Sequence, residues 1–422
     1  MASVKTQREI ITGVEIGTSS IKVVLAEFVA DNMLSILGVA EKPSLKMCKG
    51  EAIDAQIVSE QVALALHEVE EKFGYPIGNE IFLGLSGAYI ETRNVNATVV
   101  IQGDGAQVSE DYIVEATRCT QEIEVPEDLM RLPQVVNRYF RLSDGRVLFN
   151  PVGQNSDSLT VETQHFLANS YRANTTYCLL TENLENGQIP SVIYAPLAIS
   201  SAVFPPRMND DALGLVIDIG AGMTSIAMPT SMGHLFCGQI SVGCEHIVND
   251  LSIAFHIEIA TARNILNQFA KLHCTAIATK DDRTRMIRVN PDGKRRIPAS
   301  SVELVVEVRL RELFELVRRQ LEDRGAYSWL GNEVLLSGGG AEIPGIRELA
   351  GTVFNRPVRI VKACNISGRA DLVDSPRFNH VLGLIRAGYR DLQISREIKN
   401  HQSPLKLFGD SVKKILNAFF DW

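Results

Sequence analysis

Two short stretches of this chain each join a carboxylate to a glycine turn. In VEIGTSSIK, Glu15 ends an apolar, β-branched run and is followed by Gly17, Thr18, Ser19, Ser20 and Lys22. In IDIGAGMTS, Asp218 stands in the same place and is followed by Gly220, Ala221, Gly222, Met223 and Thr224. Glycine and small residues let backbone N–H groups approach a phosphate chain, hydroxyls add donors, and a lysine adds a point charge. The strand-end carboxylates suit a different task. Mg²⁺ favours one or two carboxylates completed by water and substrate phosphate, so Glu15 and Asp218 are candidate metal holders, acting through water. Two such hairpins facing each other would clamp a triphosphate. A third glycine run, LLSGGGAEIPGI, places Gly338, Gly339, Gly340 and then Ile343 at the end of another apolar strand, where a flat base can lie against bare backbone.

Such groups need buried strands to carry them, and the surrounding pattern supplies these. IITGVEIG and IKVVLAEF read as a hairpin, 54–73 as a helix stopped by Gly74, and 81–85 as a further strand. At 214 the strand, glycine turn, strand unit returns. Between the two units, 86–166 changes character, with strand-like NATVVIQ, a helix opened at Ser109 and a polar, turn-rich run, and reads as an inserted small α/β domain. A long helix is expected from about 300 to 324, preceded by the basic loop or hairpin RTRMIRVNPDGKRRIP, then the strand EVLLSGGG and a helix from 345. FNHVLGLIRAGYR reads as the last folded helix, with the polar run after it as a linker.

Composition limits the function classes. The 422 residues carry 42 Lys plus Arg against 50 Asp plus Glu, a formal net charge of −8, which disfavours general nucleic-acid binding. Hydrophobic residues make up 45%, enough for a sizeable core in two or three domains. The seven cysteines form no CxxC pair, so neither a zinc site nor a disulfide framework is indicated and a reducing cytosol fits. MASVKTQREIITGVEIG carries no apolar secretory core, and no stretch reaches the roughly 20 apolar residues that would cross a bilayer. Any membrane contact is expected to be peripheral.

In this order and spacing the three glycine loops resemble the phosphate-1, phosphate-2 and adenosine motifs of the actin, Hsp70 and sugar-kinase superfamily. EIG in the first loop, DIGAG in the second, NPVG near the end of the inserted region and GCEHIVNDLSIAF after the second hairpin make the sequence look like the bacterial cell-division family FtsA. The resemblance implies an α/β, actin-like fold. Two related ribonuclease-H-like domains would flank a nucleotide cleft, with an inserted small α/β subdomain and a C-terminal amphipathic helix. It divides the chain into domain 1 at 8–85 and 167–212, an FtsA-type subdomain 1C at 86–166, domain 2 at 213–390 with an outer subdomain at about 245–330, a flexible linker at 391–403 and a membrane-targeting helix at 404–422. It also implies ATP with Mg²⁺, self-association into filaments, anchoring of the tubulin-like division polymer FtsZ through its C-terminal tail, and recruitment of later division proteins. The place of action would be the cytoplasmic face of the cell membrane at the division site. Arg295 and Arg296 in the basic hairpin lie in the region the family uses, where they would complement the acidic FtsZ tail.

The chain's last stretch, KLFGDSVKKILNAFFDW, fits that membrane role. On a helix, Leu405, Phe408, Val412, Ile415, Phe419 and Trp422 follow one another at three- and four-residue steps, with Leu416 and Phe420 among the same apolar set. Lys413 and Lys414 flank this face, where they would meet anionic lipid at about 1 kcal/mol each. Gly409 weakens the first turn, so the helix is expected to form on lipid.

Two other readings compete. A PilM-like pilus-assembly protein would share the inserted domain but generally lacks such a tail. A soluble phosphotransferase of the sugar or acetate kinase type would need a catalytic acid or base, and none stands out. Where actins carry a water-positioning Gln, this chain has IYAPLAISSAVF, without Gln, Glu, Asp or His. Ser225 stands where many FtsA-like sequences have an acid, and Glu15 replaces an actin-like Asp. These departures point to ATP binding with slow hydrolysis at most.

Overall fold

One plan is used twice. The computed structural model describes residues 9–30, 33–103, 106–185, 188–204, 213–269, 272, 285–289 and 295–400. In the first half, strands Ile11–Ile16, Ser20–Ala30 and Met33–Pro43 form an antiparallel meander, and Glu80–Leu85 returns parallel to Ile11–Ile16. In the second half, Leu215–Ile219, Thr224–Thr230 and Gly233–Ile240 form the same meander, with Val334–Ser337 parallel to Leu215–Ile219. A parallel return needs a crossover, and helix Ala55–Phe73 supplies it in the first half. Both sheets therefore put a tight glycine turn after the first strand of the meander.

Local chemistry fixes these elements. The Asp54 carboxylate accepts from the Ile57 N–H at 3.2 Å and Gly74 closes the helix at φ 70°, so Val58, Val62, Ala65, Leu66 and Val69 turn inward. The long helix Ala299–Asp323 buries Val302, Val306, Leu310, Leu313, Val317 and Leu321 in one core with Leu215 and Ile217. The basic segment is a hairpin, Met286–Arg288 against Arg296–Pro298. Helix Asn379–Asn400 crosses the first sheet, and Gly383 lets it approach helix Ala195–Val203 so closely that a Cβ there would sit 1.8 Å from the Ala198 carbonyl oxygen.

That last helix corrects one expectation. The flexible linker expected at 391–403 is instead helical as far as Asn400, and 401–403 lie outside the described residues. No glycine or proline interrupts DLQISREIKN, and Arg396 ties the extension down through ion pairs to Glu9 and, at 2.9 Å, to Glu80.

The insert has a sheet of its own. Ile90–Val100, Ser158–Asn169, Leu129–Leu142 and Val147–Leu148 pair in that order, with helix Glu110–Cys119 packed on it through Ile113 and Ala116. It is also fastened to the second half. Buried Arg138, ion-paired with Glu162, donates to the carbonyls of Leu235 at 2.8 Å and Arg324 at 3.0 Å. The Gln164 side chain accepts from the Cys237 N–H at 2.9 Å, and Phe149 meets Trp329 edge-on at 5.1 Å between ring centroids.

Next to this junction His234 is fully buried with Nε2 3.0 Å from the Ser200 hydroxyl. Burial, and then the charge of Arg390, push its pKa from 6.5 down to about 3. Between these values the unfolded chain binds a proton that the folded one refuses, so stability falls as pH falls below 6.5. The expected loss at pH 5 is about 2 kcal/mol from this group alone. Urea unfolding at pH 7 and pH 5 measures it, and an equal loss in His234→Gln would refute the assignment.

Candidate nucleotide cleft

The two glycine turns have the same geometry. Gly17 N–H donates to the Ser20 carbonyl at 3.0 Å, and Gly220 N–H to the Met223 carbonyl at 2.9 Å. Helix Cys244–Phe255 holds the second turn from behind, because the N–H groups of Cys244 and Glu245 donate to the carbonyls of Gly220 and Ala221 at 3.0 and 2.8 Å. The turns face each other closely: a Cβ on Gly222 would lie 2.4 Å from the Thr18 hydroxyl oxygen. Between them opens a cleft of about 700 Å³. Glu15, Gly17, Thr18, Ser19, Ser20, Lys22, Asp218, Gly220, Ala221, Gly222, Met223, Gly338, Gly339, Gly340 and Ile343 all line it.

Strand register sets the electrostatics. Glu15, Lys22 and Glu41 are cross-strand neighbours in the first half, and Asp218, Ser225 and Gln239 form the matching row in the second. Lys22 Nζ lies 3.0 Å from Glu15 Oε2, and His380 Nδ1 lies 3.4 Å from Oε1. Burial raises the Glu15 pKa, but Lys22 and His380 outweigh it and hold the carboxyl at about 2. Asp218 has no lysine at the equivalent position. Its Oδ1 accepts from the Ser337 hydroxyl at 2.6 Å, and burial pushes its pKa up. Ser337 is in turn held by Asn379 at 2.8 Å.

The third loop turns sharply after strand Val334–Ser337. Gly338 has φ 83°, and a Cβ there would lie 2.5 Å from the Ile219 carbonyl oxygen. Gly340 packs against Ile219 and Cys244. A Cβ on Gly339 would meet nothing nearer than Arg377 Cβ at 4.0 Å, so this position faces open space in the cleft.

One expected donor is turned away. The Thr224 hydroxyl is buried and donates to the Val242 carbonyl at 2.8 Å, while its neighbour Ser225 lines the cleft. Side chains alternate along a strand, so a one-residue difference changes the face. The cleft also contains residues absent from the sequence reading: His380, Ser86, Arg377 paired with Glu41 at 3.1 Å, and Arg263 paired with Glu245 at 2.7 Å. The repeat itself marks Ser225 as a cleft position, since Lys22 follows Glu15 and Ser225 follows Asp218 by the same seven positions. Both basic-hairpin arginines are exposed, and Arg295 caps the helix end at Phe255 and His256, donating to both carbonyls. The apolar set from Leu405 to Trp422 lies outside the described residues. No described helix is long and apolar enough to cross a membrane.

Residues 215–383 match a family model described as "Cell division protein FtsA". A curated relative with that name from Bacillus subtilis (strain 168) is 27% identical over 390 residues, spanning 92% of this chain and 85% of its own. One from Escherichia coli (strain K12) is 25% identical over 422 residues, spanning 97% of each chain. Among solved structures, the "PilM-PilN type IV pilus biogenesis complex" superposes with a TM-score of 0.63 at 17% identity, over 90% of this chain and 99% of that one. The doubled sheet plan and this likeness give the fold as actin-like.

Proposed function

The chain is FtsA-like in sequence and actin-like in fold, and from that premise we propose that it is a membrane-tethered, ATP-binding cell-division protein that polymerises and anchors the FtsZ ring. Later division proteins would be recruited to it at the cytoplasmic face of the cell membrane. The observation that carries the nucleotide part is the pair of identical glycine turns, in contact at Thr18 and Gly222, with bare Gly339 lining the same cleft. With the Gly17 and Gly220 N–H groups closing the turns, backbone N–H groups of Thr18 to Ser20 and Ala221 to Met223 bind the phosphates, and Gly338 to Gly340 with Ile343 bind adenosine.

The donor set suits Mg²⁺ held through water. Two partly buried carboxylates line the cleft, Glu15 has both oxygens engaged by Lys22 and His380, and Ser337 takes one oxygen of Asp218. When bound, the ion neutralises phosphate charge. Lys22 is divided between Glu15 and the incoming phosphates, and its buried position keeps it on the cleft. The PilM-like reading draws on the TM-score of 0.63 to the pilus complex. The apolar and basic residues from Leu405 to Trp422 favour the division role.

Turnover is expected to be slow. Helix Ala195–Val203 contributes Ala195 to the cleft, Ser200 is paired with His234, and Ser201 donates to the Leu197 carbonyl. This helix offers no side chain to orient an attacking water, and phosphoryl transfer depends mainly on such positioning. Steady-state phosphate release with Mg-ATP should lie far below the median enzyme rate of about 10 per second. Rapid turnover, or transfer to a small acceptor, would favour a phosphotransferase instead.

A further inference from the structure

Behind the cleft wall stands one amide that joins the two halves. Gln239, on strand Gly233–Ile240 of the second half, is the register neighbour of Ser225. Its Nε2 donates to the Ser225 hydroxyl oxygen at 2.9 Å and to the Ser86 hydroxyl oxygen at 2.7 Å. Its Oε1 accepts from the Gly87 N–H at 3.2 Å. Ser86 and Gly87 follow strand Glu80–Leu85 of the first half, so two of the three bonds cross the seam between the halves and the third holds Ser225 on the second-half side. Both serines line the cleft.

The orientation of the amide is determined by its partners. A backbone N–H can only donate, so the side facing Gly87 must be the carbonyl oxygen and the other side the NH₂. Each serine hydroxyl then accepts from the amide and keeps its own O–H hydrogen to donate elsewhere. One such donor comes from each half, and both are on the cleft wall. The natural complement is an anionic oxygen reaching the seam. The adenosine loop, 338–343, belongs to the second half, so the part of a nucleotide that arrives at the seam is the far end of its phosphate chain. Because both amide hydrogens are already used, Gln239 itself has none left for an attacking water.

We propose that Gln239 is a positioning residue that fixes the Ser86 and Ser225 hydroxyls as paired donors to the terminal phosphoryl group, so that the cleft distinguishes a nucleoside triphosphate from a diphosphate. This rests on the nucleotide reading of the cleft. It assigns Gln239 a role in sensing phosphate number and none in the chemical step.

Calorimetry with ADP and with a non-hydrolysable ATP analogue, both with Mg²⁺, tests it in the full-length protein. In Gln239→Leu the preference for the triphosphate should fall about tenfold, about 1.4 kcal/mol, with the ADP affinity within roughly twofold of the parent. Gln239→Glu should lose more, since a carboxylate cannot donate and instead captures both hydroxyl hydrogens while adding negative charge. Ser225→Ala removes one donor while leaving Gln239 bonded to Ser86 and Gly87, and should lower the same ratio even if the Gln239 variants fold poorly. A purely structural role would weaken both ligands alike. An unchanged ratio in Gln239→Leu and Ser225→Ala overturns the proposal. So does a parent protein that binds the two nucleotides equally, which leaves the nucleotide reading standing. A parent that binds neither overturns both.

Discussion

Replacing Gly339 by valine should remove nucleotide binding while the protein stays folded. The cleft side of this residue is open, with Arg377 Cβ at 4.0 Å as the nearest atom to an added Cβ, and its backbone is not in the left-handed region. The isopropyl group would therefore project into the space assigned to the base, with its Cβ no closer than ordinary contact to Arg377. Overpacking costs roughly 1–3 kcal/mol, and lost contact of the base with the loop adds to it, so affinity should drop by about 100-fold or more. The neighbours serve as controls of opposite kind. A Cβ on Gly340 would lie 2.4 Å from Ile219 Cγ2 and 2.9 Å from Cys244 Sγ, and Gly338 combines φ 83° with a 2.5 Å approach to the Ile219 carbonyl. Valine at either should lower the melting temperature, whereas Gly339→Val should not. Undiminished ATP affinity in a folded Gly339→Val protein, measured by calorimetry, would remove the third loop from the site.

The second large effect is expected at residues 404–422. Burying the apolar set from Leu405 to Trp422 in a lipid surface gains about 25 cal/mol per Å², opposed by the cost of ordering a helix that is marginal in water. A single helix should bind modestly, and lasting attachment would come from many copies displayed along one polymer. Phe419→Glu with Trp422→Glu should release the protein from vesicles and leave ATP binding unchanged. Lys413→Glu with Lys414→Glu should weaken binding mainly to anionic vesicles and mainly at low salt. If a chain ending at Gln402 still pellets with anionic vesicles as well as the full chain does, these residues are not the membrane anchor.

Much of the scaffold was legible because it is local. Asp54 and Gly74 mark the two ends of a helix by their own hydrogen bond and φ, and the two acid-glycine turns are repeated in the primary structure. What escaped is what the fold assembles from afar. His380 reaches Glu15 from a helix more than 300 residues later, and Gln239 meets Ser86 from the other half of the chain. Thr224 and Ser225 are adjacent hydroxyl residues, and only the pairing of Asp218 with Ser225 decides which of them faces the cleft. The contrast between a carboxyl held at about 2 and one pushed up by burial is likewise a property of the assembled row: Lys22 stands beside Glu15, and a serine beside Asp218.

The anchorage of the insert has a mechanical consequence. Its strands leave from Glu80–Leu85 and lead back to Ser191–Tyr194, both in the first sheet, yet Arg138 and Gln164 grip carbonyl and N–H groups of the second half and Phe149 leans on Trp329. The insert is thus a strut across the seam between the halves. Swinging the halves apart must either carry it along or strip the buried Arg138 guanidinium of two backbone acceptors, a penalty of a few kcal/mol because a desolvated charge would be left short of partners. Closure of the cleft and the angle at which the insert projects are coupled in this way, so a force applied to the insert's outer surface would be felt at the glycine turns.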